Sequence, residues 1–551
     1  MAFHASYGGA AVADAAIVPA LTRRGLRRSL PRDPTCIIQW APASAIVWPR
    51  HTAGLSEEGE CDGDDGAGAH PPLRPLIVSA YRLRAALARK DALGEVAGLL
   101  RDAAACVAGE VATAPPAWLT LAAGGASDLA PLCAVLRHAT LPSWTLRCDG
   151  GASSCAACVI AAAAAGTPDG VWVVKQPATN NALGVHVVSG GLPALLLALR
   201  ELHALPPSAS DDGPPPHTCR RADGGSGCAD GGSGDGASSG TTSGTTSGMR
   251  EGIVIQPYAG NLCTIGGAKF HLRVNVLAAG AAHVFMHHHV MCHVATAPYV
   301  RGDWGSRAVH ITNHCVQRAA PGYDAARHTL DLTAVVVGSM DGGCGCGALL
   351  RARIAAVVRA VFAAATTGRR TSGARLPFLP ARNAFEHYGF DFLVTRGGHP
   401  CLLEVNAGPA LEGLAAPAVC AAVVEDTAAL LFDDLLAAPA DGVPTAAADV
   451  EDYWPRCTCA APAAACHTPE IAALLPAVHF GGGGGDAPGP WLHLLSLPPS
   501  DSDSAAAVTT LTRRLPAPAW CTPAMVRAVR AAIVTAAAAD SDSDSDAADS
   551  S

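Results

Sequence analysis

The chemistry legible in this sequence is concentrated in two short stretches. In AKFHLRVNVL, residues 268–277, a strand reading sends Phe270, Leu272, Val274 and Val276 to one face. Lys269, His271, Arg273 and Asn275 go to the other, because strand side chains alternate with period two. Three potentially cationic groups in succession suit a bound polyanion; an edge strand with a solvated face is the plain alternative. The second stretch, YGFDFLVTRGGHPCLLEVN at 388–406, predicts a hairpin around a Gly-Gly turn. With Phe390, Phe392, Val394, Leu403 and Val405 turned inward, Asp391 on one strand and Glu404 with Asn406 on its neighbour face the other way. Hard oxygen donors of this kind suit Mg²⁺, water and phosphate filling the remaining positions. Lys269 and Arg273 can then neutralise phosphate oxygens that the metal bridges. Lys175, ending the strand-like run VWVVKQ, opens the loop QPATNNALG, which is placed to lie over a nucleotide. A surface lysine and a polar sheet face turned to solvent are the corresponding alternatives. No Walker loop or protein-kinase signature is present.

The elements that must hold these residues are strands alternating with helices. Residues 1–72 run from an apolar start through RRGLRRSLPRDP to the polar loop EEGECDGDDGAG, and are expected to form an amino-terminal α/β domain. Residues 73–165 read as a central, mainly helical domain. Residues 166–438 read as the domain that carries the chemistry, interrupted by the Gly/Ser/Thr-rich insertion 222–249, a flexible loop by composition. The strand GIVIQPY resumes directly behind it, so the insertion interrupts one domain and does not separate two. IAAVVRAVFAAAT reads as a helix. Residues 439–551 form a low-complexity tail with an acidic end, in which TPAMVRAVRAAIV is the one helical pattern.

Composition narrows the function. Apolar residues make up 50% of the 551, but aromatics only 5%, so the apolar fraction overstates core volume. A net charge of −9 argues against a general nucleic-acid binder. No uninterrupted apolar run reaches the length of a membrane helix, and no secretory signal is evident. The 20 cysteines are scattered through a long chain, which predicts reduced thiols and a cytoplasmic protein.

Taken in order, the motifs resemble the tubulin-tyrosine ligase family of ATP-grasp enzymes over roughly residues 170–435. VWVVKQPATNNALGVHVVS is similar to that family's lysine-bearing strand and grasp loop, IVIQPY to its adenine hinge, and KFHLRVNVL to its Lys-Phe-Asp-Leu-Arg strand. HITNHCVQ resembles its His-Leu-Thr-Asn block and LLEVNAGPAL its metal-binding end. The wording TNHC and the residues after EVNAGPA lie nearest to the ligase that gives the family its name. RRGLRRSLPRDP also resembles that ligase's amino-terminal domain.

The resemblance implies an α/β ATP-grasp fold, two antiparallel-sheet subdomains clasping a nucleotide, and ATP and Mg²⁺ as cofactors. It implies that a carboxylate on a tubulin tail is activated as an acyl phosphate and then captured by the amine of a free amino acid, tyrosine or glutamate. By position, Lys175 and Lys269 would hold the nucleotide, Gln256 and Tyr258 would border the adenine, and Thr312 and Asn313 would shape the site. Arg273 would face phosphate or substrate carboxylate, and Asp391, Glu404 and Asn406 would bind Mg²⁺. The partners implied are the acidic carboxy-terminal tail of tubulin and the free amino acid, with neither nucleic acid nor membrane; the location implied is cytoplasmic with cytoskeletal association.

The pattern also breaks. His271 stands where the family has Asp, within the nucleotide set. Pro257 stands at the hinge where Lys is usual, and Asn181 and Ala182 replace a basic residue and a glycine of the grasp loop. His293 takes the place of a phosphate-binding Arg, and so of a catalytic charge. An imidazole is not a bidentate fork and is mostly neutral near pH 7; loss of such a charge can cost orders of magnitude in rate. Arg301 or Arg307 pointing into the site would restore it. Two readings follow: an active ligase whose His293 gains charge toward pH 6.5, or a non-catalytic member that binds nucleotide and tubulin. His287 with His289 in the triple-His run, and CTCAAPAAACH ending at His467, are minor metal candidates.

Overall fold

The computed structural model describes residues 2–5, 16–31, 36–41, 77–81, 83–110, 114–123, 129–146, 156–176, 184–202, 253–280, 283–332, 347–368, 384–408 and 417–435, with short pieces as far as residue 515. The insertion 222–249, the grasp-loop positions Asn181 and Ala182, CTCAAPAAACH, TPAMVRAVRAAIV and the acidic end lie outside the described residues.

The amino-terminal strands β1 (Ala2–Ala5), β2 (Arg27–Arg28), β3 (Cys36–Trp40) and β4 (Ile77–Val78) form a parallel sheet in the order β2-β1-β3-β4, with helix α1 (Val18–Thr22) in the first crossover. Helices α2 (Lys90–Val107), α3 (Ala117–Ala123) and α4 (Leu129–Leu136) follow. Along α2, Leu93, Val96, Ala97, Leu100 and Ala104 recur at helical spacing and are buried.

A small antiparallel sheet comes next, in the order β5-β8-β6-β7: β5 (Trp144–Leu146), β6 (Val171–Lys175), β7 (Val185–Ser189) and β8 (Ile253–Pro257). Helices α5 (Ala156–Ala165) and α6 (Gly191–Glu201) cover its back, with Ile160, Leu195 and Leu199 buried against Trp172, Val174 and Ile255. The boundary expected at 165/166 therefore runs through one sheet, because β5 pairs with β8.

The large sheet is built on β9 (Ala268–Ala279), β10 (His283–Pro298), β11 (Phe385–Val394) and β12 (Pro400–Ala407), with β13 (His479–Gly481) and β14 (Trp491–Ser496) beyond them. Its order is β12-β11-β9-β10-β14-β13, antiparallel throughout. The edge-strand alternative for 268–277 is thereby excluded. β9 is paired on both sides, and Lys269, His271 and Asn275 are buried although polar. The hairpin closes through Thr395–His399, where Gly398 takes a φ of 70° that favours glycine.

Helix α7 (Gly347–Thr367) is apolar on nearly every side and correspondingly buried nearly all round. It lies against the sheet, with Phe362 packed on Phe378, Tyr388 and Phe390. The parallel sheet and helix α8 (Pro417–Ala428) pack on the far end, where Phe3, Trp40 and Leu21 meet Phe285, Phe385, Val424 and Trp491. Here the reading of 439–551 as a low-complexity tail needs correction: WLHLLS within it is a buried strand of the large sheet, with Trp491 fully enclosed. The class is the expected one, mixed α and β, with two antiparallel sheets lining one cleft. Among the described residues no helix is long and apolar enough to cross a membrane.

Candidate active site

Register on the large sheet decides which polar groups meet. Arg273 on β9 stands opposite Asp391 on β11, and Asp391 stands opposite Glu404 on β12. A register shift just after Asp391 breaks the regular ladder at this point, as bulges beside functional sites often do. Arg273 donates to Asp391 through Nε, and through Nη2 at 3.0 Å. Asn406 Nδ2 spans the two carboxylates, 3.1 Å from Asp391 Oδ2 and 3.3 Å from Glu404 Oε1.

The small sheet supplies the opposite wall. Lys175, at the end of β6, donates to the Leu403 carbonyl across the cleft at 3.3 Å. Burial lowers its pKa, only partly opposed by Glu404. Lys269 donates to the Tyr258 hydroxyl at 3.2 Å and lies 4.7 Å from that ring's centre. Burial, and then Lys175, bring its ammonium down to about 7. Gln256 Nε2 donates to Ser143 Oγ at 2.7 Å, while its buried Oε1 has no partner among the described residues.

Lys175, Gln256, Tyr258, Lys269, His271, Thr312, Asn313, Asp391, Glu404 and Asn406 all line one cleft, walled by Val173, Val185, Val187, Ile311 and Leu403. Arg273 stands behind Asp391 as its counter-ion. His293, opposite His271 in register, stacks on its ring at 4.9 Å between centroids. His271 Nδ1 and Thr312 Oγ1 share a hydrogen bond of 2.6 Å. Burial, then Arg273 and Lys269, push His271 down to about 3; burial, then His271 and Arg273, hold His293 well below its ordinary value. The expectation that His293 gains charge toward pH 6.5 is therefore corrected: the imidazole, half-buried against His271 and near Arg273, is held neutral chiefly by desolvation.

Neither candidate arginine fills the gap. Arg301 pairs with Asp169 at 2.6 Å in the open, and Arg307 donates to the Val185 carbonyl at 3.1 Å outside the cleft. His287 and His289 are each engaged by a carboxylate, Asp426 at 2.9 Å and Asp331 at 2.6 Å. Among the described residues no group of three His, Cys, Asp or Glu side chains is arranged to hold a metal ion, which removes the triple-His reading.

Sequence reasoning missed two cleft residues. Lys90, at the start of α2, reaches to 3.9 Å from Glu404 Oε2. A lysine opening an amphipathic helix carries no local signal of a carboxylate more than three hundred residues distant in sequence. His310 bonds the Tyr258 hydroxyl through Nδ1 at 2.8 Å; it opens the HITN block, and only its position in that motif marked it.

The donors suit the two groups the resemblance implied. Two carboxylates and an amide at one cleft edge are what Mg²⁺ takes when phosphate oxygens complete its shell, and this does not require a three-carboxylate cage. The apolar walls with an unsatisfied buried acceptor at Gln256 suit a flat heterocycle bearing an amino group.

Comparison with known proteins bears on the same region. The model of the Tubulin-tyrosine ligase family matches residues 170–439. Over 167 residues the chain is 29% identical to "Probable tubulin--tyrosine ligase PBY1" of Saccharomyces cerevisiae, covering 28% of this chain and 21% of that protein. It is 26% identical over 179 residues to "Probable tubulin polyglutamylase TTLL9" of Bos taurus, covering 29% and 34%. The chain thus spans about a fifth to a third of the length of these relatives. A crystal structure of the C-terminal domain from K. lactis Pby1, an ATP-grasp enzyme interacting with the mRNA decapping enzyme Dcp2, aligns with a TM-score of 0.42 at 15% identity, over 79% of this chain and 92% of that one.

Proposed function

We propose, for a chain whose residues 170–439 belong to the tubulin-tyrosine ligase family, that it is an ATP-dependent ligase joining an amino acid to a carboxylate of an acidic tubulin tail. The observation that carries this reading is the cleft itself, where Lys175, Lys269 and Lys90 share one partly enclosed space with Asp391, Glu404 and Asn406. Cations and hard oxygen donors around one cleft are what a metal–polyphosphate needs, and neither set alone would serve.

In this reading Lys175 and Lys269 take up phosphate charge, and Gln256 offers its free acceptor to the base. Asp391, Glu404 and Asn406 would hold Mg²⁺, which would supply charge that neutralises phosphate. Arg273 orients Asp391 through its paired hydrogen bonds. The buried walls exclude water from an activated carboxyl group, which an amine must reach before hydrolysis does. Both tyrosine and glutamate are carried as the amine, since relatives with names of both kinds resemble the chain. A cytoplasmic, tubulin-associated location goes with that substrate.

A second reading, a nucleotide- and tubulin-binding module without turnover, is favoured by the neutral His271–His293 stack standing where the family has opposite charges. One experiment separates them. The protein is incubated with ATP, Mg²⁺, tubulin and each labelled amino acid in turn, with ATP binding measured by calorimetry. Label in the tubulin tail with matching ADP release supports the ligase. Heat on binding ATP without label or ADP supports the module. Absence of binding at millimolar ATP and Mg²⁺ would sink both.

A further inference from the structure

Behind Lys269 runs a chain of hydrogen bonds with one consistent set of proton positions. The main-chain oxygen of Asp303 has no proton to give, so His310, 2.8 Å away, donates to it through Nε2–H. Burial keeps the His310 imidazole neutral by lowering its pKa, in spite of that backbone acceptor. A neutral ring protonated at Nε2 leaves Nδ1 as an acceptor. Tyr258 must then donate its hydroxyl proton to Nδ1, across 2.8 Å. Its phenol oxygen is left with lone pairs, and Lys269 Nζ lies 3.2 Å from it. The same amine is 4.7 Å from the ring centre, within cation–π reach.

Tyr258 is itself held. Its N–H donates to the Val171 carbonyl at 2.9 Å. Trp304 meets the Tyr258 ring at 5.0 Å and stacks on His310 at 5.1 Å with 22° between planes. The titratable and charged groups acting around this point are Lys175 on β6, His271 on β9, and Tyr299 and Arg301 on the segment leading to His310.

We propose that Tyr258 is a positioning residue for the nucleotide site: its lone pair and ring face, fixed by His310 and Trp304, hold the Lys269 amine where it serves as a polyphosphate donor. This rests on the nucleotide reading above for its purpose, but its geometry can be tested in the free protein. A phenol is not interchangeable here with an aliphatic hinge residue, which has neither the lone pair nor the ring face.

The test has two arms. In the first, acetic anhydride labelling of Lys269 is followed by mass spectrometry over a pH series without nucleotide. Tyr258→Phe removes an acceptor that favours the charged amine, so the labelling midpoint, near 7 in the parent, is expected to fall by about half a unit or more. His310→Asn, which keeps an acceptor for the hydroxyl, should shift it less than His310→Leu. In the second arm, Tyr258→Phe is expected to weaken ATP binding about tenfold, the cost of one lost hydrogen bond to a charged group, and to add nothing in a Lys269→Met background. Superimposable labelling profiles for the parent, Tyr258→Phe and His310→Leu would overturn the proposal. So would an equal loss of affinity in both backgrounds, which would mean that Tyr258 touches the nucleotide itself. A labelling shift in a protein that does not bind ATP would uphold the positioning role while removing the nucleotide reading.

Discussion

Lys269 is a cleft residue whose charge responds near neutrality. Its ammonium has an ordinary pKa of 10.5 and is brought down to about 7 by burial and Lys175. Between those values the free protein keeps the amine neutral, and a bound polyphosphate restores its charge, so binding takes up a proton. Affinity for ATP is therefore expected to be greatest below about pH 7 and to fall as pH rises above it, by at most tenfold per unit. Calorimetry in two buffers of different ionisation enthalpy measures the uptake; equal heats above neutrality would contradict it. The His pair makes a separate prediction. A guanidinium placed by His293→Arg would stand half-buried beside Arg273 and His271 with no counter-ion of its own. It should destabilise by about 3 kcal/mol or more, and His271→Asp in the same chain should recover part of that loss. Urea unfolding of both variants decides; additive losses would show that the two positions do not couple.

At the scale of the element, β9 is the member on which the site depends, because it joins β10 to β11 and carries Lys269, His271 and Arg273 between them. The Arg273–Asp391 pair crosses the β9–β11 ladder at directly opposed positions. Its carboxylate is almost fully enclosed, while the guanidinium side chain is 20% exposed. Asp391→Asn would keep the shape and leave that cation without its counter-charge. Stability should fall by about 3 kcal/mol, with a loss of Mg²⁺-dependent binding that exceeds any loss of metal-free binding; a variant as stable as the parent would rule out the pairing as a structural requirement. Helix α7 supports the same sheet from behind. Phe362→Ala should cost about 3–5 kcal/mol, since the aromatic cluster around it is closed and cannot collapse into the space left. A loss below 1 kcal/mol, read from the same unfolding curves, would mean that the helix repacks.

For the whole molecule, the large sheet is assembled from chain segments far apart in sequence. β14 pairs with β10 and brings Trp491 against His287, outside the region that the family model matches. Ending the chain before Trp491 should unpair one side of β10, expose the apolar end shared with the amino-terminal sheet, and lower both solubility and the unfolding midpoint. The measurements are soluble yield and thermal unfolding; an unchanged midpoint would show that β14 is dispensable. The contacts of Arg24 with Glu425 and Asp433, both over four hundred positions away, tie the same amino-terminal region to α8 and the π-helical segment Ala429–Leu435 that continues it.

The sequence by itself determined the local geometry of the site. Period-two alternation in 268–277 separates apolar from polar groups, and the Gly-Gly turn of 388–406 brings Asp391 near Glu404 and Asn406. These are short-range consequences of backbone geometry and turn chemistry, so motif order alone led to the family and to most of the cleft lining. Tertiary structure decided what depends on neighbours. Alternation cannot distinguish an edge strand from a central one, and it was pairing on both sides that buried Lys269 and His271. Protonation followed that packing: His293 became a neutral partner of His271, because desolvation, with Arg273 near by, penalises a charged imidazole. Lys90 entered the cleft only through the packing of α2, and WLHLLS became a strand only because β10 had a free side to offer. Spatial proximity of residues hundreds of positions apart is set by how layers stack over the core, which no local pattern of residues encodes.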